Sequence, residues 1–197
     1  MLCWSSQIRH RSCWVAVLLH SLAFSVAAAG VFAQSALTLD GQSVDPFAAS
    51  SGKPVVLVFV RTDCPLSNRY APLLQEMQRA YANKVKFWLV YPDKRATAKQ
   101  IREHLGEYHY SIPPLRDPHH ALVKRAFASI TPEAAVFDAR GALLYHGRID
   151  NWYVDSGRSR PVATTHELQS VLDSALAGKP SPVLTAPAVG CYISDLE

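Results

Sequence analysis

The stretch that decides the fold reads Val55-Val56-Leu57-Val58-Phe59-Val60-Arg61-Thr62-Asp63-Cys64-Pro65-Leu66-Ser67-Asn68. It begins with a short, wholly apolar and mostly β-branched run, which predicts a strand buried on both faces. Pro65 then stands at the first position of a predicted helix, where an N–H group would be unpaired in any case. Cys64 is therefore expected at the N-terminal end of that helix, where the helix dipole and free N–H groups favour a thiolate. This position predicts a reactive sulfur, and a buried structural cysteine is the alternative.

The first 33 residues have the composition of a secretory signal peptide. Arg9 and Arg11 precede an apolar run over residues 13–33, which ends in Val31-Phe32-Ala33 and fits the pattern of a cleavage site. We therefore predict a signal peptide over residues 1–33 and export to the periplasm or the extracellular space. An uncleaved membrane anchor is the alternative, because the run is just long enough to span a bilayer.

Residues 34–197 are predicted to form a single domain, since a chain of that length can bury one sizeable core. The full chain of 197 residues is 49% hydrophobic and 18% charged, which is ordinary for a globular protein. The signal segment contains two arginines but no lysine or acidic residue, so its removal lowers the formal net charge from +4 to +2. So small a charge argues against a nucleic-acid partner. Two of the four cysteines, Cys64 and Cys191, are left in a compartment where disulfides persist.

The rest of the chain alternates between strand and helix patterns. In chain order the predicted elements are a hairpin around Asp40-Gly41, the strand 55–60, a helix 66–81 kinked by Pro72, a strand 85–90, a helix 97–108 capped by Thr97, a helix opening at Asp117 and running to about 127, a strand 134–137, a return strand 142–149, a polar loop 150–163, a helix opened by a capping box from Thr164 to Glu167 and ending near 178, and an extended tail 178–197. This order predicts an α/β fold with a mixed sheet that is covered on both faces.

Three motifs in this order resemble those of the thioredoxin superfamily, and in particular its redoxin branch, the thioredoxin-like relatives of the peroxiredoxins. Cys64-Pro65-Leu66-Ser67 stands where thioredoxins have two cysteines separated by two residues. Ala71-Pro72 matches the kinking proline of the family's active-site helix, and Thr131-Pro132 matches its cis-proline. The resemblance spans residues 36–178. It implies a thioredoxin-like fold, with a central mixed β-sheet flanked by helices on both faces, and a thiol–disulfide oxidoreductase that works without a cofactor.

The resemblance also implies roles for individual residues. Cys64 would be the attacking thiol, and Ser67 would donate a hydrogen bond to its thiolate. The backbone of Thr131, before a cis Pro132, would pair with an extended peptide or mixed-disulfide partner lying across the sulfur. The implied partners are protein thiols, protein disulfides or a redox partner protein. The protein would contact a membrane only through a signal segment that stays uncleaved.

Departures from the family pattern keep two further functions open. Ser67 replaces the resolving cysteine, and Arg61 and Leu57 replace a threonine and a proline of the peroxiredoxins, so a thiol peroxidase is an alternative that these residues weaken. The other alternative is a binding or copper-chaperone-like protein without turnover, because copper chaperones of the SCO type share the fold. The adjacent pair His119-His120 would be its candidate ligands, but neighbouring residues on a helix point in different directions, and we assign no metal site.

The missing resolving thiol is predicted to come from the tail. Cys191 lies in the small apolar patch Val189-Gly190-Cys191-Tyr192-Ile193, where Gly190 would let the backbone pass close to another surface. The tail can fold back, since about 13 residues at roughly 3.3 Å each reach some 40 Å. We therefore predict that Cys191 approaches Cys64 and forms a disulfide with it, as a redox-active pair or a permanent staple. A free or interchain Cys191 is the alternative, because a sequence does not fix disulfide connectivity.

Overall fold

The structure, a computed structural model, describes residues 36–194. The predicted signal peptide and its cleavage site lie outside these residues. Within them, no helix combines the length and the apolar character that crossing a membrane requires.

The described residues alternate between strands and helices. The strands are Ala36–Leu37 (β1), Ser43–Val44 (β2), Val55–Phe59 (β3), Lys86–Tyr91 (β4), Pro114–Arg116 (β5), Ile130–Thr131 (β6), Glu133–Phe137 (β7), Leu143–Gly147 (β8), Tyr153–Asp155 (β9), Arg158–Ser159 (β10), Thr185–Ala186 (β11) and Cys191–Tyr192 (β12). The α-helices are Pro65–Arg69 (α1), Ala71–Ala80 (α2), Ala98–Glu107 (α3), Ala121–Ala126 (α4) and Glu167–Leu176 (α5).

Strand β3 is the centre of a mixed sheet, as the sequence predicts. The sheet has the order β11-β8-β7-β3-β4-β5-β1-β2. β3 runs parallel to β4 and antiparallel to β7, so that Val58 is level with Leu89 on one side and with Ala134 on the other. Every residue of β3 is buried, as expected for a strand covered on both faces.

Two apolar cores lie on the two faces of this sheet. Because side chains alternate along a strand, Val56 and Val58 enter one core while Leu57 and Phe59 enter the other. Helices α2, α3 and α5 contribute to the first core, and α4 contributes to the second. Each fully buried aliphatic or aromatic side chain stabilises such a core by about 1.5–3 kcal/mol. The predicted α/β architecture, with helices on both faces, is confirmed.

The helix after Cys64 is broken where the sequence predicts a kink. α1 ends at Arg69 and α2 begins at Ala71, with Tyr70 between them. Pro72 has no N–H group to give to the carbonyl of Asn68, four residues earlier, so the helical ladder is interrupted at this turn. The break leaves a short helix that begins at the sulfur.

Helix α4 begins four residues after the predicted position. The carboxylate of Asp117 accepts the N–H groups of Ala121, Leu122 and Val123 at 2.8–2.9 Å, so it caps the helix from outside. His120 has a φ of 55°, in the left-handed region, and cannot continue a helix toward Asp117. Asp117, at which the helix was predicted to open, thus caps it from three residues before the N-cap position, His120.

One of the two predicted helix caps is confirmed and the other is wrong. Thr97 accepts the N–H of Gln100 at 3.2 Å and forms a full capping box with it at the start of α3. The capping box predicted from Thr164 to Glu167 does not form, since α5 begins without a side-chain cap. The Thr164 hydroxyl instead accepts the side-chain amide of Asn151 at 2.8 Å.

Short strands appear in four segments where the sequence predicted none, and one of them is β6, just before the cis proline. β5 pairs parallel with β4, and β9 and β10 form a small hairpin inside the predicted polar loop. The tail carries the other two, with β11 parallel to β8 and β12 antiparallel to β6. Strands of two or three residues have no sequence period of their own, because their pairing is supplied by distant parts of the chain. The tail is therefore part of the fold.

Candidate active site

Cys64 lies where the central strand gives way to helix α1. It is the N-cap residue of α1, and its carbonyl accepts the N–H of Asn68 at 3.1 Å. The position at the helix start is the one that the sequence predicts. The residue is also buried, with 0% exposure, although burial was expected only for the alternative of a structural cysteine.

The sulfur atoms of Cys64 and Cys191 lie 2.6 Å apart, although 127 positions separate them in the chain. Both residues are free cysteines in this structure. Strand β12 brings the tail cysteine to this place by pairing with β6, so that Cys191 lies opposite Thr131. The predicted approach is found, and the disulfide bond stays a prediction.

The tail is fastened by backbone contacts on both sides of Cys191. At Gly190, a Cβ atom would lie 2.0 Å from the carbonyl oxygen of Thr131, so only glycine fits this approach. The Thr131 hydroxyl donates to the Cys191 carbonyl at 3.3 Å. Beyond the cysteine, Ile193 is buried and its N–H donates to the carbonyl of Ser129 at 2.9 Å.

The loop facing Cys64 contains a cis peptide bond between Thr131 and Pro132, as predicted. Thr131 is fully buried, and its carbonyl oxygen accepts the Cys64 thiol at 3.1 Å. Glu133 holds this loop in place, because its buried carboxylate accepts the N–H of Ser129 at 2.9 Å. Glu133 was not among the residues predicted for the site. An acidic residue at the start of an otherwise apolar strand is the signal that could have found it.

The edge of β6 carries the chain's own tail. The sequence predicted that the backbone of Thr131 would pair with an extended peptide lying across the sulfur. In the structure that peptide is β12, with Cys191 as its cysteine. Cys64, Thr131 and Cys191 are thus in direct contact, and Pro132 follows in the same loop.

Ser67 lies in the first turn of α1 and acts on the ionisation of Cys64. Burial opposes ionisation, but hydrogen bonds from the Cys191 thiol, from the hydroxyl and N–H of Ser67 and from Thr131 outweigh it, so the pKa of Cys64 falls below its ordinary value. Among the described residues the buried Ser67 hydroxyl has no hydrogen-bond partner, so its O–H is free to donate to a thiolate at Cys64. Burial, and then the Cys64 sulfur, raise the pKa of Cys191 to about 12. Of the two sulfurs, Cys64 ionises first.

Replacing Ser67 with alanine is expected to raise the pKa of Cys64. The change removes a donor that stabilises the thiolate, and it leaves the helix start and the backbone N–H in place. Titration of the reduced protein, followed by the ultraviolet absorbance of the thiolate, measures the effect. Ser170→Ala removes an exposed hydroxyl in α5 and serves as the control. An unchanged Cys64 titration in Ser67→Ala would show that this hydroxyl does not act on the sulfur.

Arg61 connects the end of β3 to the tail. Its guanidinium donates to the carbonyl of Tyr192 at 3.3 Å and to the carboxylate of Asp63 at 2.9 Å, and it lies 3.8 Å from the carboxylate of Asp93. The sequence singled out Arg61 as a departure from the peroxiredoxins and as a cation close to Cys64 along the chain. Its contact with the tail follows from the fold, since Tyr192 is 131 positions away.

A chain of polar contacts, buried at His104 and Tyr91 and half-buried at Asn68, holds the helix that follows Cys64. The side chain of Asn68 contacts Nε2 of His104 at 2.9 Å, and Nδ1 of that ring contacts the hydroxyl of Tyr91 at 2.9 Å. The Asn68 amide also donates to the Tyr108 hydroxyl at 3.1 Å. Burial lowers the pKa of His104, so the ring is neutral at physiological pH and serves as donor at one nitrogen and acceptor at the other.

Of the two histidines considered as metal ligands, His119 and His120, the second makes a hydrogen-bond contact within the fold. His120 is buried, and its Nε2 lies 3.0 Å from the carbonyl oxygen of Pro92. Among residues 36–194, the side chains of His, Cys, Asp and Glu form no group of three or more that could hold a metal ion.

The comparison with protein families places the chain in one of them. The family model described as Redoxin matches residues 25–152, which is more than half of the chain. No curated protein matches the sequence.

Several solved structures share the fold. An uncharacterised conserved protein from Geobacillus kaustophilus is 25% identical, with a TM-score of 0.69 over 80% of this chain and 86% of the other. A hypothetical protein from Sinorhizobium meliloti is 20% identical, with a TM-score of 0.67 over 81% of this chain and 88% of the other. A secreted disulfide oxidoreductase from Mycobacterium tuberculosis is 24% identical, with a TM-score of 0.51 over 73% of this chain and 94% of the other. These likenesses support the thioredoxin-like fold.

Proposed function

The chain belongs to the Redoxin family, and from this premise we propose that it is an exported thiol–disulfide oxidoreductase whose redox-active pair is Cys64 and Cys191. The observation that carries the proposal is the 2.6 Å separation of the two sulfurs, one of which has a lowered pKa. Two thiols so close can lose two electrons and two protons to form a disulfide, and the reverse reaction restores both thiols.

The proposed roles follow from the contacts at the site. Cys64 carries the thiolate, and Ser67 donates to it. Cys191 supplies the resolving thiol that the Cys64-Pro65-Leu66-Ser67 motif lacks. Thr131 and the cis Pro132 position the strand that brings Cys191 to the sulfur. Exchange with a protein thiol or disulfide would pass through a mixed disulfide on one cysteine, which the other cysteine would resolve.

Export is part of the proposal and rests on the sequence of residues 1–33. Cleavage after Ala33 would leave residues 34–197 as one thioredoxin-like domain, in the periplasm or the extracellular space. An oxidising compartment suits a cysteine pair that must be able to form a disulfide.

The proposal predicts that the exported protein contains a Cys64–Cys191 disulfide that opens and closes reversibly. A non-reducing digest analysed by mass spectrometry should contain the linked peptide, and its N-terminal peptide should begin near Gln34. Equilibration in glutathione redox buffers, followed by alkylation, should show both cysteines changing together in a two-electron transition.

The control is a variant that lacks one of the two cysteines. Cys64→Ser and Cys191→Ser should each abolish the two-electron transition and the turnover of a model protein disulfide. Two free thiols in the exported protein, or a Cys191–Cys191 dimer that persists in Cys64→Ser, would overturn the proposal. Peroxide consumption that depends on Cys64, or a metal ion held by the reduced protein, would instead favour one of the two alternative functions.

A further inference from the structure

The two sulfurs of the site differ in their access to solvent. Cys64 has 0% exposure, whereas Cys191 is partly exposed. Cys64 is covered by two groups that it contacts directly, the carbonyl of Thr131 and the sulfur of Cys191. A protein partner that approaches the folded molecule therefore meets the tail cysteine first.

The tail also occupies the backbone edge that a partner would need in order to reach Cys64. β12 pairs with β6, Ile193 is buried in a core, and Arg61 donates to the carbonyl of Tyr192. All of these contacts would have to break before another peptide could lie across Cys64. None of them has to break for a partner to reach Cys191.

The residue beside Cys191 offers a surface for such a partner. Tyr192 is 76% exposed, although the backbone on either side of it is paired or held. Asp63, which lies one residue before Cys64, exposes 65% of its side chain. An exposed aromatic side chain next to an accessible sulfur is a favourable contact point for a protein that presents its own cysteine.

We propose that partner proteins exchange disulfides with Cys191 rather than with Cys64, so that the tail cysteine carries the mixed disulfide and the buried cysteine opens and closes it. This assignment rests on the proposed function and reverses the order that the helix position of Cys64 alone implies.

The reaction balances with a protein dithiol as the co-reactant. A partner thiolate attacks Sγ of Cys191, a new sulfur–sulfur bond forms, and the Cys64–Cys191 bond breaks with its electron pair passing to Cys64. The second thiolate of the partner then attacks its own sulfur in the mixed disulfide, and Cys191 leaves as a thiolate and takes up a proton. The partner loses two electrons and gains a disulfide, while Cys64 and Cys191 gain those electrons. A partner disulfide is reduced by the same steps in reverse.

The ionisation of the pair supports this direction of attack. A thiol with a lower pKa is the better leaving group in disulfide exchange. When Cys191 is bonded to the partner, the hydrogen bonds from Ser67 and Thr131 remain to lower the pKa of Cys64 and to stabilise it as the leaving thiolate. Attack on Cys191 thus combines the accessible sulfur with the better leaving group.

The test locates the mixed disulfide with glutathione as the probe. The exported protein in its disulfide form is mixed with reduced glutathione, quenched with acid after short intervals, and mapped by mass spectrometry. We expect glutathione on Cys191 at least about tenfold more often than on Cys64. Glutathione mainly on Cys64 would overturn the assignment.

Two single variants give a second measurement. Oxidised glutathione should modify Cys191 in Cys64→Ser readily, while Cys64 in Cys191→Ser should be protected by about a hundredfold relative to the same variant in denaturant. Denaturant removes protection that depends on the fold, so each variant carries its own control. Circular dichroism should show that both variants fold.

The outcomes separate this inference from the proposed function. If the Cys64–Cys191 disulfide forms but glutathione is found on Cys64, the redox pair stands and the assignment of Cys191 as the exchange cysteine is wrong. If that disulfide does not form at all, the proposed function fails and this inference fails with it.

Discussion

Reduction of the proposed Cys64–Cys191 disulfide is expected to lower the free energy of unfolding of the protein by about 4–5 kcal/mol. The bond would join residues that are 127 positions apart, so it would close a loop containing most of the domain. In the chain-entropy model a cross-link stabilises more when its loop is longer, because it removes more freedom from the unfolded chain. The figure is the upper end of the range, since strain in the folded state reduces it. Unfolding by urea, with and without a reductant, measures the difference.

The double variant Cys64→Ser/Cys191→Ser is the control for this prediction. It cannot form the bond, so its free energy of unfolding should be the same with and without the reductant and close to that of the reduced wild type. A difference below about 1 kcal/mol between the oxidised and reduced wild type would contradict the prediction if mapping shows the bond in place.

The redox state of Cys64 and Cys191 should also set how often the tail detaches from the rest of the domain. Without the bond, only non-covalent contacts hold the tail, among them the strands β11 and β12, the contact of Arg61 with Tyr192, and the buried side chains of Ala186 and Ile193. Such contacts can break together in a local opening of the fold, which a covalent bond does not allow. The disulfide would prevent this opening, because it fixes the tail covalently beside helix α1.

The sequence was sufficient for the features that rest on local chemistry. The apolar run 55–60 contains the central strand Val55–Phe59, because its residues have no polar side chain to place in water. Pro72 broke the helix because it lacks an N–H group, and Thr97 capped α3 because Gln100 stands three residues later. The cis bond before Pro132 came from the family resemblance, since the residues alone favour trans.

Features that depend on distant partners were not predictable in the same way. Thr164 was predicted to cap helix α5, but its hydroxyl instead accepts a hydrogen bond from the side-chain amide of Asn151. The burial of Cys64 and the contact between Arg61 and the tail depend on a strand more than a hundred positions away. The approach of Cys191 was predicted by elimination of other partners for Cys64, whereas its pairing opposite Thr131 required the fold.

Gly190→Ala is expected to release the tail from Cys64. The added Cβ atom would lie 2.0 Å from the carbonyl oxygen and 2.7 Å from the carbonyl carbon of Thr131, and these backbone atoms cannot move aside as a flexible side chain can. Thr131 is fully buried in a loop held by Glu133, so the short strand β12 is the part that should give way. Cys191 would then leave Cys64, and the disulfide should no longer form.

The expected result is a large gain in the reactivity of Cys64. If closure of the tail protects the sulfur by about 3 kcal/mol, its release should speed alkylation of Cys64 by iodoacetamide about a hundredfold in the reduced protein. Digestion after timed alkylation reports the labelling of Cys64 separately from that of Cys191.

Gly106→Ala is the matched control for the added methyl group. Apart from neighbouring residues and the backbone of helix α3 itself, no atom lies within 4 Å of a Cβ at Gly106, so this variant should keep the alkylation rate and the disulfide of the wild type. If Gly190→Ala behaves like Gly106→Ala, the tail is not what covers Cys64. Gly190→Ala is compared with the wild type by the thermal unfolding of the reduced domain. If Cys64 becomes reactive while this unfolding stays cooperative, the added methyl group has displaced the tail without unfolding the domain. The low reactivity of Cys64 in the wild type then depends on the tail.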